Sequence, residues 1–124
     1  MTRGYFGIGI WRPKTRDNVG SLLRSAACFG ADFTFTVGAN GLYRAATNTT
    51  KAERHMPHME WDTETWERYL PVRRRIIGIE QADGAMSLTA FEHPQRAVYI
   101  LGREDDGLPP EVLDLCDCVV AIPT

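Results

Sequence analysis

Long apolar runs are missing from this chain. No stretch is long or apolar enough to span a bilayer, and Met1-Thr2-Arg3-Gly4 lacks the apolar run of a secretory leader. Cysteine is scarce and odd in number, with only Cys28, Cys116 and Cys118. An odd trio does not make a disulfide framework, so the expectation is reduced thiols in a cytoplasmic protein. Extreme charge is missing too. Charged residues are 24% of the chain and the formal net charge is −2, which excludes a highly charged disordered segment. Gly7-Ile8-Gly9 lacks the third glycine of a dinucleotide fingerprint, and a strand interior is the wrong place for that phosphate turn. His55 and His58 have an H-x-x-H spacing with no cysteine or other close ligand, so zinc is not expected.

What remains is a 124-residue chain that is 44% hydrophobic, enough for one domain with a core of its own. Its charges are unevenly distributed. Residues 1–54 hold eight basic and three acidic side chains, and the rest hold six and thirteen. Two readings stand level. A basic first half can present a local phosphate-binding face, or the charges can form a scattered, solvated surface.

The pattern alternates strands and helices. Tyr5 to Trp11 reads as a first strand, with Gly7 and Gly9 where another backbone or a ligand comes close. Pro13-Lys14-Thr15-Arg16-Asp17 is a basic loop. A helix follows, capped by Asn18, with Val19, Leu22, Leu23, Ala26 and Ala27 as its buried stripe and Gly30 in the left-handed position after its end. Phe33 to Val37 is a second strand. Gly38 to Lys51 is a long polar loop with Tyr43 and Arg44, of the length that often carries function. Asp62 caps a short helix through Leu70. Arg75 to Glu80 and Val98 to Leu101 are the third and fourth strands. Pro109 and Pro110 open a helix, and Cys118 to Ile122 is a fifth strand, with Cys116 and Cys118 as packing thiols. The expected class is α/β with a mostly parallel sheet and flanking helices. Ligands of such sheets bind at the carboxyl ends of strands, here the loops after Trp11, Ile79 and Leu101.

Arg24 lies on the polar stripe Ser21, Arg24, Ser25, Cys28 of a helix that packs through its other face. A packing helix does not need it, so it is a candidate for chemistry or a surface arginine paired with an acid. Glu104-Asp105-Asp106 is either a solvated acidic turn, a carboxylate that orients Arg24 or Asn18, or an oxygen-rich Mg²⁺ site in a different nucleotide-using α/β enzyme. Lys14, Arg16, Arg44 and Arg54 are candidate phosphate contacts, and Tyr43 offers a ring on which a base can stack.

Asn18, Gly20, Arg24 and Phe29-Gly30 resemble the first motif of the SpoU (TrmH-like) branch of the SPOUT RNA methyltransferases. Gly102, Glu104, Gly107 and Leu108, then Ile122-Pro123, resemble the second. The resemblance covers about Gly7 to Pro123. It implies S-adenosylmethionine-dependent methylation of a ribose 2′-hydroxyl in tRNA or rRNA, by a homodimer whose active site lies near the interface. It also implies a sheet whose carboxyl-terminal part forms a trefoil knot. By motif position Arg24, Asn18 and Glu104 are the catalytic candidates, and Ile79, Glu80, Gln81, Gly102 and Ile122 the candidates for holding S-adenosylmethionine, largely through backbone groups. A catalytically inactive RNA-binding relative of the same fold is the alternative. The family's third motif, a Ser/Asn-containing turn leading into a final helix, would follow Ile122-Pro123. The expectation is therefore one SpoU-type domain over residues 1–124, truncated at its carboxyl end before the knot is complete. No bound metal is expected, and compact targets such as a tRNA loop come ahead of rRNA elements.

Overall fold

The computed structural model describes residues 4–39, 57–80, 86–87, 93–102 and 107–121. Among these, seven strands form one sheet: β1 (Tyr5–Trp11), β2 (Phe33–Val37), β3 (His58–Trp61), β4 (Arg75–Ile79), β5 (Met86–Ser87), β6 (Arg96–Leu101) and β7 (Cys118–Ala121). Their order is β3-β2-β1-β6-β4-β7-β5. Every pairing is parallel. The expected parallel α/β class is what the chain forms, with β1 and β6 side by side at its centre.

Helix α1 (Arg16–Phe29) packs on β1 and β2. Its true cap is Thr15, not Asn18. The Thr15 backbone is extended, and its Oγ1 accepts the Asn18 N–H at 3.2 Å. Asn18 is thus the third helical residue. Asn18 is the polar residue nearest the apolar stripe, but a cap bonds the N–H two or three residues on, and here the residue that does so is Thr15. Val19, Leu22, Leu23 and Ala26 are buried as expected, but Ala27 is exposed. Phe29, the last helical residue, is 80% exposed although Ala26 in the same turn is buried. Gly30 closes it at φ +76°. The Ala31 N–H bonds Ala26 O at 3.0 Å and the Gly30 N–H bonds Ala27 O at 3.3 Å, the paired bonds that a left-handed glycine permits.

The opposite face is filled by aromatic and branched side chains. Trp11, Phe33, Phe35, Val37, Trp66, Leu70, Val98, Ile100 and Val112 form one buried cluster. Fully burying each such side chain contributes about 1.5–3 kcal/mol. Gly7 and Gly9 serve this cluster, not a ligand or a backbone. The Phe33 and Phe35 rings lie across them, in the space a Cβ would need.

Two strands were not expected. His58–Trp61 is a four-residue edge strand and Met86–Ser87 a two-residue one, both too short to show a period. The helix expected from Asp62 to Leu70 is only a 3₁₀ turn, Trp66–Tyr69. Asp62 Oδ1 starts this segment by accepting from Glu64 N, Thr65 N and Thr65 Oγ1 at 3.0, 2.7 and 2.8 Å. Helix α2 (Pro110–Leu113) is a single turn opened by proline. Cys118 is exposed, contrary to expectation, because β7 lies near the sheet edge. Cys116 is half-buried, its Sγ donating to Val112 O at 3.3 Å, and burial pushes its thiol up to about 11. No helix among the described residues is long and apolar enough to cross a membrane.

Candidate active site

The carboxyl ends of the strands form one rim. The segment after β1 leads straight into α1, and the ends of β4 and β6 lie side by side, Ile79 opposite Leu101. Two groups of site residues sit on these elements.

The first group is on α1. Arg24 is exposed. Its Nη2 donates to Ser21 Oγ at 3.3 Å, one turn back along the helix. A helical side chain leans toward its own amino terminus, so the guanidinium is carried toward the rim. Gly20 makes room for it. A Cβ there would sit 3.3 Å from Arg24 Nη1, with no other neighbour beyond the helix's own backbone. Among the described residues no acid pairs with Arg24, and its partner is a neutral hydroxyl. Asn18 is half-buried in the first turn. Because Thr15 does the capping, the Asn18 side chain is not spent on the helix end.

The second group is where β4 and β6 end. The Glu80 N–H bonds Val120 O at 2.9 Å, extending the ladder one step past β4. Its side chain turns toward the β6 loop, and Oε2 accepts the Leu108 N–H at 3.0 Å. Gly107 is left-handed, φ +67°, as expected from sequence, and a Cβ there would lie 2.7 Å from Glu80 Oε1. Gly102 is held tighter. A Cβ there would fall 2.5 Å from Leu108 N and 2.7 Å from Gly107 Cα. The start and end of this loop therefore meet backbone to backbone, which only glycine allows. The result is a closely packed backbone junction at the strand ends. The Ile79 side chain does not face it. It lines a cavity on the α1 face instead.

That cavity, about 610 Å³, is apolar, with Phe6, Ile8, Phe29, Ile79 and Tyr99 in its walls. A second, polar one of about 440 Å³ opens at the carboxyl ends of β1, β2 and β3 beside Arg12. Arg24 is in the lining of neither. Lys14 and Arg16 are exposed on the segment between β1 and α1. Glu104, Gln81, Ile122, Arg44 and Arg54 lie outside the described residues, as do Tyr43 and His55. Sequence reasoning missed the capping role of Thr15 and the inward turn of Glu80. A Thr three residues before Asn18 was the available signal for the first; nothing local signalled the second.

A protein-family model described as the SpoU rRNA Methylase family matches residues 6–124. The tRNA (cytidine(34)-2'-O)-methyltransferase of Ancylobacter novellus is 28% identical over 123 residues, covering 94% of this chain and 76% of that protein. The AdoMet-bound SpoU methyltransferase AviRb of Streptomyces viridochromogenes superposes with a TM-score of 0.81 at 22% identity, covering 100% of this chain and 53% of that one. An AdoMet-bound rRNA methyltransferase of Sinorhizobium meliloti gives 0.80 at 20% identity, covering 99% and 49%. With both structures the likeness is one of fold, and this chain spans about half their length.

Proposed function

Because this chain belongs to the SpoU rRNA Methylase family, we propose that it methylates a ribose 2′-hydroxyl of RNA using S-adenosyl-L-methionine, with tRNA ahead of rRNA as substrate. The observation that carries the reading is Arg24. It is an exposed guanidinium on a packing helix, steadied by Ser21 over the gap left by Gly20 and paired with no acid among the described residues. The tRNA preference draws on the relative from Ancylobacter novellus, whose name specifies ribose methylation of a tRNA cytidine.

The backbone junction at Gly102 and Gly107 lies at the strand ends, where a ligand held largely by main-chain groups would sit, and the main chain of Ile79 with Glu80, Gln81 and Ile122 completes the set assigned to S-adenosylmethionine. S-adenosylmethionine, when bound, supplies a methyl group on a sulfonium. Arginine keeps its proton at ordinary pH, so Arg24 is not the base. It binds an RNA phosphate and stabilises the negative charge that grows on the 2′-oxygen as the hydroxyl proton departs to phosphate or water. Asn18 and Glu104 orient the ribose and Arg24. Lys14, Arg16, Arg44 and Arg54 hold the RNA backbone.

The domain works as a homodimer in the cytoplasm, its carboxyl-terminal strands contributing to the trefoil knot of its family. The support for a dimer is the open apolar face beside α1, where Phe29 is 80% exposed next to Phe6, Ile8 and Tyr99. Covering that face with a second copy puts the helix that carries Arg24 at the interface.

The test is calorimetric titration with S-adenosyl-L-methionine, followed by transfer of its labelled methyl group to unmodified tRNA. Recovery of the label as a 2′-O-methylnucleoside is the expected result. A chain that binds no S-adenosylmethionine and transfers no methyl group sinks the proposal.

A further inference from the structure

We propose that the polar cavity at the carboxyl ends of β1, β2 and β3 is a subsite for one unpaired nucleotide of the RNA, its phosphate on Arg12 and its amino-bearing base on Glu60. The inference rests on the RNA-methylating reading above and deepens it.

The cavity is built by two residues in left-handed backbone. The Arg12 N–H still bonds Val37 O at 2.7 Å and the Gly38 N–H still bonds Trp61 O at 2.9 Å, one step past the ends of β1 and β2. Both chains then turn, Arg12 at φ +45° and Gly38 at φ +71°. The space between them and the end of β3 is the cavity, about 440 Å³, lined by Glu60, Trp61, Asp62 and Thr63 together with Arg12 and Gly38. That volume lies in the range of small-ligand sites.

Glycine would adopt the Arg12 backbone without strain, and arginine does not. Strain retained on a side chain that is exposed points to a use for that side chain. Gly38 shows where its stem runs. A Cβ at Gly38 would sit 3.2 Å from Arg12 Cγ and 3.0 Å from Thr63 Cγ2. The arginine stem therefore lies against bare backbone, and its guanidinium belongs to the cavity wall.

The charges select the ligand. A simple anion meets Arg12 but also the carboxylates of Glu60 and Asp62. A simple cation meets Arg12. A nucleotide whose base carries an exocyclic amino group offers an anion to one wall and a donor to the other. The Thr65 hydroxyl and N–H hold the Asp62 carboxyl below the usual carboxylate range. Trp61 is fixed by ring packing, with Phe35 at 5.1 Å and Tyr69 at 5.9 Å between centroids, which makes that wall rigid. Unpaired bases present their edges and phosphates together in this way, and a single pocket can read them.

The test uses labelled single-stranded oligocytidylate and oligouridylate, read by fluorescence anisotropy, alongside S-adenosylmethionine binding and thermal melting. The wild-type chain binds the cytidine strand about threefold or more tightly than the uridine strand, since only cytosine has the amino group. Arg12→Gly weakens both strands by a similar factor while its melting temperature holds or rises. Glu60→Ala, which has no acceptor to offer the amino group, abolishes the preference. Unchanged affinity in Arg12→Gly, or an unchanged preference in Glu60→Ala, overturns the subsite. A wild-type chain that neither binds S-adenosylmethionine nor methylates RNA overturns the underlying function instead, and the two failures are read independently.

Discussion

Glu80 Oε2 accepts the Leu108 backbone N–H at 3.0 Å, so a single carboxylate at the end of β4 fastens the loop that leaves β6. A bond from a charged acceptor to a backbone N–H contributes about 1.5–3 kcal/mol. The other anchor of the loop is the backbone contact between Gly102 and Gly107. Glu80 therefore positions the backbone junction that we propose holds S-adenosylmethionine.

Removing the carboxylate tests this. Glu80→Ala is expected to weaken S-adenosylmethionine binding by roughly tenfold or more, as the energy above implies. Glu80→Gln keeps an acceptor oxygen and recovers most of the affinity. Calorimetric titration of the two variants decides it: equal affinity in both would show that the loop holds its shape without the bond. Circular dichroism separates this local effect from loss of fold.

The sequence carried the fold wherever a period had room to repeat. The seven residues of β1 and the fourteen of α1 are long enough to show their faces, and the glycine after α1 signalled its own left-handed turn. β3 and β5, at four and two residues, offer no such repeat. Their place is set by pairing with β2 and β7, which is long-range information. The same division holds in the site. The exposure of Arg24 was legible because it falls on the polar stripe of an amphipathic helix. The Glu80 bond spans 28 residues of sequence, and nothing in Ile79-Glu80-Gln81 says which way the carboxylate turns. Arg12 had no distinguishing sequence context, and its left-handed backbone is visible only in the structure.

Arg24→Ala is expected to lower kcat for RNA methylation by about a hundredfold or more, the range seen when one stabiliser of transition-state charge is removed. The side chain is exposed and makes one described hydrogen bond, to Ser21, so stability is expected to change by no more than about 0.5 kcal/mol. S-adenosylmethionine affinity stays near wild type. Single-turnover methylation and urea unfolding of the same preparation provide both readings. An unfolded variant would make the arginine structural and remove it from the chemistry.

Two glycine substitutions are expected to act in opposite directions on stability. At Gly102 a Cβ meets the backbone of Gly107 and Leu108, at 2.7 and 2.5 Å, and backbone cannot swing aside. Gly102→Ala is expected to destabilise by about 1–3 kcal/mol and to lose S-adenosylmethionine binding. At Gly20 the neighbour is the far end of the flexible Arg24, at 3.3 Å. Gly20→Ala gains about 0.5–1 kcal/mol of helix stability while displacing the guanidinium, so it melts higher and methylates more slowly. Thermal melts paired with initial rates check both. A Gly20→Ala protein of unchanged activity would show that the position of Arg24 over that gap is immaterial.

His58 gives the chain a specific acid sensitivity. Its Nδ1 shares a 2.7 Å hydrogen bond with the hydroxyl of the fully buried Thr34. Burial penalises the imidazolium and lowers its pKa from the ordinary 6.5 to about 4. Between those values the unfolded chain takes up a proton that the folded chain refuses. The contribution of the neutral ring is therefore complete above about pH 6.5 and is lost progressively as pH falls toward 4, on the order of 3 kcal/mol in all. Carboxylates also titrate toward the acid end, so the informative quantity is a difference. The urea midpoint of the wild-type chain is expected to fall more between pH 7 and pH 5 than that of His58→Gln, which has no proton to gain. If the two midpoints decline in parallel, the ring is already solvated in the folded state and the acid sensitivity lies elsewhere.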